Sequence, residues 1–298
     1  MSIQKPFLKW VGGKTQILEK IIAKIPNEMN NYHELFLGGG SVLFAILTLK
    51  KQGIIKIHGK IYGYDINKDL INVYKNIQNN KDTFFEHLEI FKNTYHNLKG
   101  NIINRNPQCL EEGLTSKESY YYYLRNRYNT INKESIECSA LFMFLNKTGF
   151  RGMYREGPKG FNIPYGHHKK TPSMITKEEL NSISELIQNV IFIHSDYNVS
   201  FEKLNEGDFI YLDPPYAPEN DKSFVGYTKD GFSYENHVDL FEKIKQLNEK
   251  KVKFILSNAK VALVEDYFKD YTIEHIEARR AINSKNPGSK TMEVLIIN

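Results

Sequence analysis

Asp208-Phe209-Ile210-Tyr211-Leu212-Asp213-Pro214-Pro215-Tyr216 decides how the rest of this 298-residue chain is read. The run from 208 to 212 is dominated by bulky apolar and aromatic side chains, the pattern of a strand buried on both faces of a parallel sheet. Two prolines end it at once, because neither donates to a sheet ladder and both fix φ. What remains is a carboxylate, a rigid bend with exposed carbonyls and an aromatic ring, all at a strand's C-terminal end. Open α/β sheets bind their ligands along that edge. A proline bend after a strand is also a common structural turn, so this stretch needs support from the rest of the chain.

That support starts upstream. Tyr32 to Phe44 reads as strand, glycine turn, helix: Gly38, Gly39 and Gly40 let a backbone approach a ligand closely, and Ser41 is placed to cap the helix. A dinucleotide fold would want a further glycine at 43, where Leu43 stands, which disfavours a nicotinamide-binding protein. Ile61 to Asn67 is a second strand, ending in Asp65 roughly 25 residues after the glycines. An acid there commonly takes a ribose diol; the alternative is that Asp65 caps the helix starting near Lys68. Asn189 to Asp196 makes a third strand ending in an acid, and the run closed by Asp213 is the fourth. Lys253 to Asn258 reads as a fifth, and Tyr271 to Ala278 with Met292 to Ile297 as a late hairpin. These alternating elements predict an α/β fold with Asp65, Asp196 and Asp213 along one sheet edge.

From about residue 70 to 187 the strand signals vanish and the pattern becomes helical. The expected organisation is a sheet domain over 1–69 and 188–298 interrupted by an insertion at 70–187. Within it, Leu145 to Lys170 holds five glycines and two prolines, which predicts an irregular, hairpin-like loop. Six Lys/Arg against one acid give this segment a net charge of +5, as much as the whole chain. Cations interleaved with aromatics suit phosphate contact and base-edge reading; a solvated basic surface is the alternative. A second basic loop with turn residues runs from Arg279 to Lys290.

Composition sets limits. Hydrophobic content of 41% and charged content of 25% describe an ordinary globular chain. Met1 to Trp10 has no basic-then-apolar leader pattern, and Val42 to Leu47 is too short to cross a bilayer, so an intracellular, cytoplasmic protein with no membrane segment is expected. Two cysteines, Cys109 and Cys138, provide neither a disulfide scaffold nor a zinc site, and no metal is expected. Neither follows a proline, which removes the cysteine nucleophile of cytosine-C5 methylation. Gly12-Gly13-Lys14-Thr15 invites a phosphate-loop reading, but Leu8 stands where that loop needs a glycine. On its own chemistry, Trp10 offers an aromatic wall and Lys14 a cation for a carboxylate-bearing ligand.

In order along the chain, Phe7 to Lys14, Phe36 to Ser41 and Asp213 to Tyr216 resemble motifs of the Dam-type (D12 class, alpha group) S-adenosylmethionine-dependent DNA adenine-N6 methyltransferases. Asn146 to Gly166, Phe232 to His237 and Arg279 to Asn283 are similar to further segments of that family. The resemblance implies a Rossmann-like seven-stranded methyltransferase sheet with an inserted, mostly helical target-recognition domain. It implies cofactor contacts at Trp10, Lys14, Phe36, Gly38, Gly40, Asp65, Asp196 and Asp213, and catalysis by Asp213, Pro214, Pro215 and Tyr216. The basic loops then offer Arg151, Tyr154, Arg155, Lys159, Asn162, Lys169, Arg279 and Asn283 to double-stranded DNA. A cognate restriction endonuclease of the same system is a candidate functional partner, without a physical complex. Methylation of another planar amine (RNA adenine, cytosine N4, a protein glutamine), a catalytically silent DNA-binding protein and a phosphate-loop ATPase stay open as alternatives.

Overall fold

A computed structural model describes residues 2–218, 232–279 and 290–298, with the side chains of Arg279 and Lys290 excepted. Two compact units share the chain: Met1–Lys5, Gly12–Ile66 and Asn189–Asn298 form one, and Pro6–Val11 with Asn67–Gln188 the other.

The first unit is built on a seven-stranded sheet. Its strands are β1 (Tyr32–Glu34), β2 (Ile61–Asp65), β3 (Val190–His194), β4 (Phe209–Leu212), β5 (Lys253–Ala259), β6 (Thr272–Arg279) and β7 (Lys290–Ile297). Across the sheet they run β6-β7-β5-β4-β1-β2-β3, and only β7 is antiparallel to its neighbours. This is the α/β, Rossmann-like sheet expected from the alternating pattern and the resemblance. All four residues of β4 are buried, as a strand covered on both faces requires. Leu212, Leu240, Phe241, Ile244, Leu256 and Ile296 are fully buried in the cluster that packs one face.

Chain order sets where ligands go. The chain steps outward from β1 through β2 to β3, then returns to place β4 on the other side of β1. Between β1 and β4 the winding reverses, and the crevice outside the carboxyl ends at such a point is the natural ligand site. The glycine turn leaves β1 there and Asp213 leaves β4 there.

The second unit is helical, with Lys68–Asn79, Lys81–Asn97, Lys117–Thr130, Ile136–Thr148 and Lys177–Leu186 as its longer helices. Its caps are legible in the sequence: Ser116 and Ser135 accept the N–H of Ser119 and Cys138, and Thr176 with Glu179 forms a reciprocal capping box. Ile136–Thr148 is buried nearly all round, the mark of a central helix. After it, Glu156–Gly157 and Gly160–Phe161 pair as a short antiparallel hairpin.

Candidate active site

The glycine turn is fixed from three sides. Leu35 N–H donates to the Tyr211 carbonyl, Leu37 N–H to the Tyr64 carbonyl and Gly38 N–H to Asp65 Oδ2 at 2.9 Å. Gly38 and Gly40 have φ of 49° and 69°, the left-handed region where a Cβ is costly, so glycine is strongly favoured at both. Gly40 is the N-cap of the helix Ser41–Lys51, which makes Ser41 the first helical residue. The expected Ser41 cap is therefore replaced: its hydroxyl accepts the backbone N–H of Lys14 at 3.1 Å. The left-handed bend turns the chain so sharply that residue 40 already occupies the cap position. Asp65 holds the glycine turn, whereas Asn67 caps the next helix through Leu70 N–H, so the capping alternative for Asp65 does not apply.

Lys14 is buried, and its Nζ lies 2.6 Å from Asp213 Oδ2 and 2.6 Å from the Gly12 carbonyl it donates to. The cation read as a partner for a ligand carboxylate is ion-paired here with a carboxylate of the protein. The same Nζ stands 4.9 Å from the centre of the Tyr216 ring, within cation–π range. Asp213 Oδ1 is buried and has no hydrogen-bond partner among the described residues. Burial raises the Asp213 carboxyl from 3.8 to about 6, against the pull of Lys14, and Glu293 adds to the rise. Glu34, at the end of β1, accepts from Tyr32 Oη at 2.6 Å, and its burial pushes it up to about 8.

Neighbouring elements hold the Asp213–Tyr216 segment. Tyr216 Oη donates to Glu293 Oε2 on β7 at 2.8 Å, and Ala217 N–H donates to Asn258 Oδ1 on β5 at 2.9 Å. His237 Nε2 lies 3.0 Å from the Pro215 carbonyl and Nδ1 lies 2.9 Å from the Ser233 carbonyl. Burial lowers the imidazole, which as a neutral ring has one N–H to share between these two acceptors. Phe36 packs with Tyr197 and Phe232 at ring separations of 5.9 and 6.2 Å. Asp196 caps the short helix Tyr197–Phe201 by accepting Asn198 N–H.

The family model for the D12 class N6 adenine-specific DNA methyltransferases matches residues 10–282. The chain belongs to this family. The methyltransferase is 35% identical over 302 residues to the type II methyltransferase M1.LlaDCHI of Lactococcus lactis subsp. cremoris, covering 99% of this chain and 95% of the relative. It is 34% identical over 306 residues to the type II methyltransferase M.MjaIII of Methanocaldococcus jannaschii, covering 99% of each. A DNA adenine methylase of Haemophilus influenzae is 28% identical over 286 residues, with 95% of this chain and 89% of the relative covered. The enzyme is accordingly a site-specific DNA adenine-N6 methyltransferase; its family implies S-adenosylmethionine as methyl donor and DNA as substrate.

In the methyltransferase's second unit, Trp10 stacks against Phe142 and Tyr154 at 6.2 and 6.1 Å. Tyr154 also donates its hydroxyl to Glu156. Arg155 Nε donates to Asn162 Oδ1 at 2.7 Å across the hairpin, and Lys159 and Lys169 are exposed. Arg151 is exposed with φ of 56°, a left-handed backbone uncommon outside glycine. Asn283 lies outside the described residues, and Arg279 ends β6.

The structure thus gathers Lys14, Asp213, Tyr216, the glycine turn and Asp65 in one unit. Reading the sequence missed Glu34 and Glu293, and placed His237 in a family-like segment without assigning it a role. For His237 a weak signal existed, since it lies one helical turn after the capping Ser233. For Glu293, an acid preceding the apolar run Val294 to Ile297 of β7, there was none.

Proposed function

We propose that the enzyme methylates N6 of an adenine turned out of duplex DNA, with Asp213 and the Pro214 carbonyl as acceptors for the two amino hydrogens. The observation that carries this reading is Asp213 itself. Lys14 holds one carboxylate oxygen, while the other is buried and unpaired among the described residues, next to the switch point between β1 and β4. A buried unpaired carboxylate oxygen costs free energy unless a donor arrives, and an exocyclic amine is such a donor.

The residues present fit the cofactor. The left-handed Gly38 and Gly40 bring bare backbone to the switch point. The neighbouring strands β2 and β3 run parallel with Asp65 opposite His194, two residues before Asp196, and Lys14 joins the same edge through Asp213. Lys14, Phe36, Gly38, Gly40, Asp65, Asp196 and Asp213 would hold the cofactor; for Trp10 the family resemblance alone supports a contact. When bound, S-adenosylmethionine supplies an electrophilic sulfonium methyl group.

The protein's own part follows from the amine. The N6 lone pair is delocalised into the purine, which makes it a poor nucleophile. Two acceptors, Asp213 Oδ1 and the Pro214 carbonyl, draw the amino hydrogens toward themselves and concentrate the lone pair on nitrogen. Asp213, raised to about 6 by burial, is ionised at neutral pH yet basic enough to take the proton that nitrogen loses. Tyr216 offers its ring to the base, which must leave the duplex to reach a buried carboxylate. Pro215 keeps the bend rigid between them. Arg151, Arg155, Lys159 and Lys169 supply phosphate contacts, while Tyr154 and Asn162 orient the hairpin. Arg279 and Asn283 are proposed DNA contacts on the family resemblance. Two relatives carry the name type II methyltransferase, which supports reading the enzyme as the modification partner of a restriction endonuclease. Cys138 plays no covalent part, since burial pushes its thiol up to about 12.

Transfer of labelled methyl groups to duplex DNA, single-stranded RNA and protein, followed by digestion of the nucleic acids to nucleosides, tests this reading. Label in N6-methyladenine from duplex DNA is expected. Label in N4-methylcytosine, or only in RNA or protein, would overturn it.

A further inference from the structure

Tyr216 is held by groups that lie outside its own loop. Its hydroxyl donates to Glu293 Oε2 at 2.8 Å, and the Lys14 ammonium stands over its ring at 4.9 Å. Glu293 comes from β7, the one strand that runs against the sheet, where it pairs with Ala259 of β5 and Ile276 of β6. It is therefore carried by a strand paired on both sides and not by a loop. A strand position whose side chain reaches a loop of another strand fixes that loop with little freedom.

We propose that Glu293 is a positioning residue for methyl transfer: it anchors the Tyr216 side chain by its hydroxyl and shares the charge balance of the pocket with Asp213. The proposal rests on the reading that Asp213 and Tyr216 receive the target base. Two effects follow from one carboxylate. As a hydrogen-bond acceptor it anchors the Tyr216 hydroxyl and so restrains the side chain from swinging away from its place beside Asp213. As an anion it opposes ionisation of Asp213, and Tyr216 feels the same charge. Among the described residues, the charged and titratable groups facing Asp213 are Lys14 from the N-terminal segment, Glu34 from β1, Tyr211 from β4, Tyr216 from its own loop and Glu293 from β7. Lys14 is the single cation among these described residues, so removing one anion changes the balance around Asp213.

Two substitutions separate the effects. Glu293→Gln keeps an acceptor for the Tyr216 hydroxyl and removes the charge; Glu293→Ala removes both. Steady-state methylation of unmethylated genomic DNA is measured from pH 5 to 9, with Asp213→Ala and Tyr216→Phe alongside. E293A is expected to raise KM for DNA by about tenfold, as removal of one charge-assisted hydrogen bond predicts, and Y216F to raise it similarly. E293Q is expected to recover most of that affinity while the acid limb of kcat moves to lower pH, because Asp213 is freed of a neighbour that raises its pKa. Y216F leaves that limb in place. If E293A does not fold, the displaced limb in E293Q decides. An acid limb that stays put in E293Q, or a DNA KM that E293A leaves at the wild-type value, overturns the proposal. Near-wild-type turnover by D213A would instead overturn the reading on which it rests.

Discussion

Glu34 is buried against Tyr32, and its carboxyl is shifted from 4.5 to about 8 chiefly by its removal from water. Between those values the unfolded chain has released the proton while the folded chain keeps it. Stability contributed at this site is therefore present at low pH and falls as pH rises from 4.5 through 8. The cost is on the order of 3 kcal/mol at pH 7. Glu34→Gln keeps the acceptor for Tyr32 and cannot ionise. Urea unfolding at pH 5 and pH 8 is expected to show the variant gaining on the wild type as pH rises; parallel curves would show that Glu34 is ionised in the fold. Asp213, at about 6, predicts a different dependence. Its protonated form cannot accept an N6 hydrogen as a carboxylate does, so single-turnover transfer should fall as pH drops through about 6, while DNA binding measured by anisotropy holds. A rate flat down to pH 5 would contradict this. These shifts could not be read from sequence, because they depend on which side chains three distant strands bring together.

The elements were far more legible. Phe209 to Leu212 carries no polar alternation, only apolar and aromatic residues, and it lies buried in the middle of the sheet. Gly38 and Gly40 marked a bend that only glycine makes comfortably. Ser135 and Thr176, which cap helices through local side-chain bonds, went unread although capping leaves a signal in the sequence. What pattern could not give was the partner of each polar group: Ser41 goes to Lys14 instead of its own helix, and Lys14 goes to Asp213. Pairings between residues far apart in sequence leave no local periodicity. The hairpin Glu156–Phe161 was announced by its glycines, and Arg155 and Lys159 are exposed on it. Replacing both with alanine should weaken DNA affinity and lower the slope of log K against log salt by about 2, one for each phosphate no longer neutralised. Cofactor affinity, followed by calorimetry, should not change. An unaltered slope would make the hairpin a solvated surface.

At the scale of the whole chain, the sequence is interleaved: the sheet unit is left at Ile66 and rejoined at Asn189. The short stretch Pro6–Val11 groups with the helical unit although residues on both sides of it belong to the sheet unit. Nothing in its composition announced this, because Phe7 and Leu8 are buried by packing that only the fold creates, as in the edge-on approach of Phe7 to Tyr74. Among the described residues no helix is long and apolar enough to cross a membrane. One unit thus carries Lys14, Asp213 and Tyr216, and the other the basic hairpin, so chemistry and DNA affinity are expected to separate on mutation. Asp213→Ala tests that most directly, with single-turnover methyl transfer and equilibrium DNA binding measured on the same preparation. Removing the acceptor proposed for the reacting amine should lower transfer by about 10³-fold or more while the DNA dissociation constant stays within about twofold. Transfer close to the wild-type rate would contradict Asp213 as the group that receives the amine.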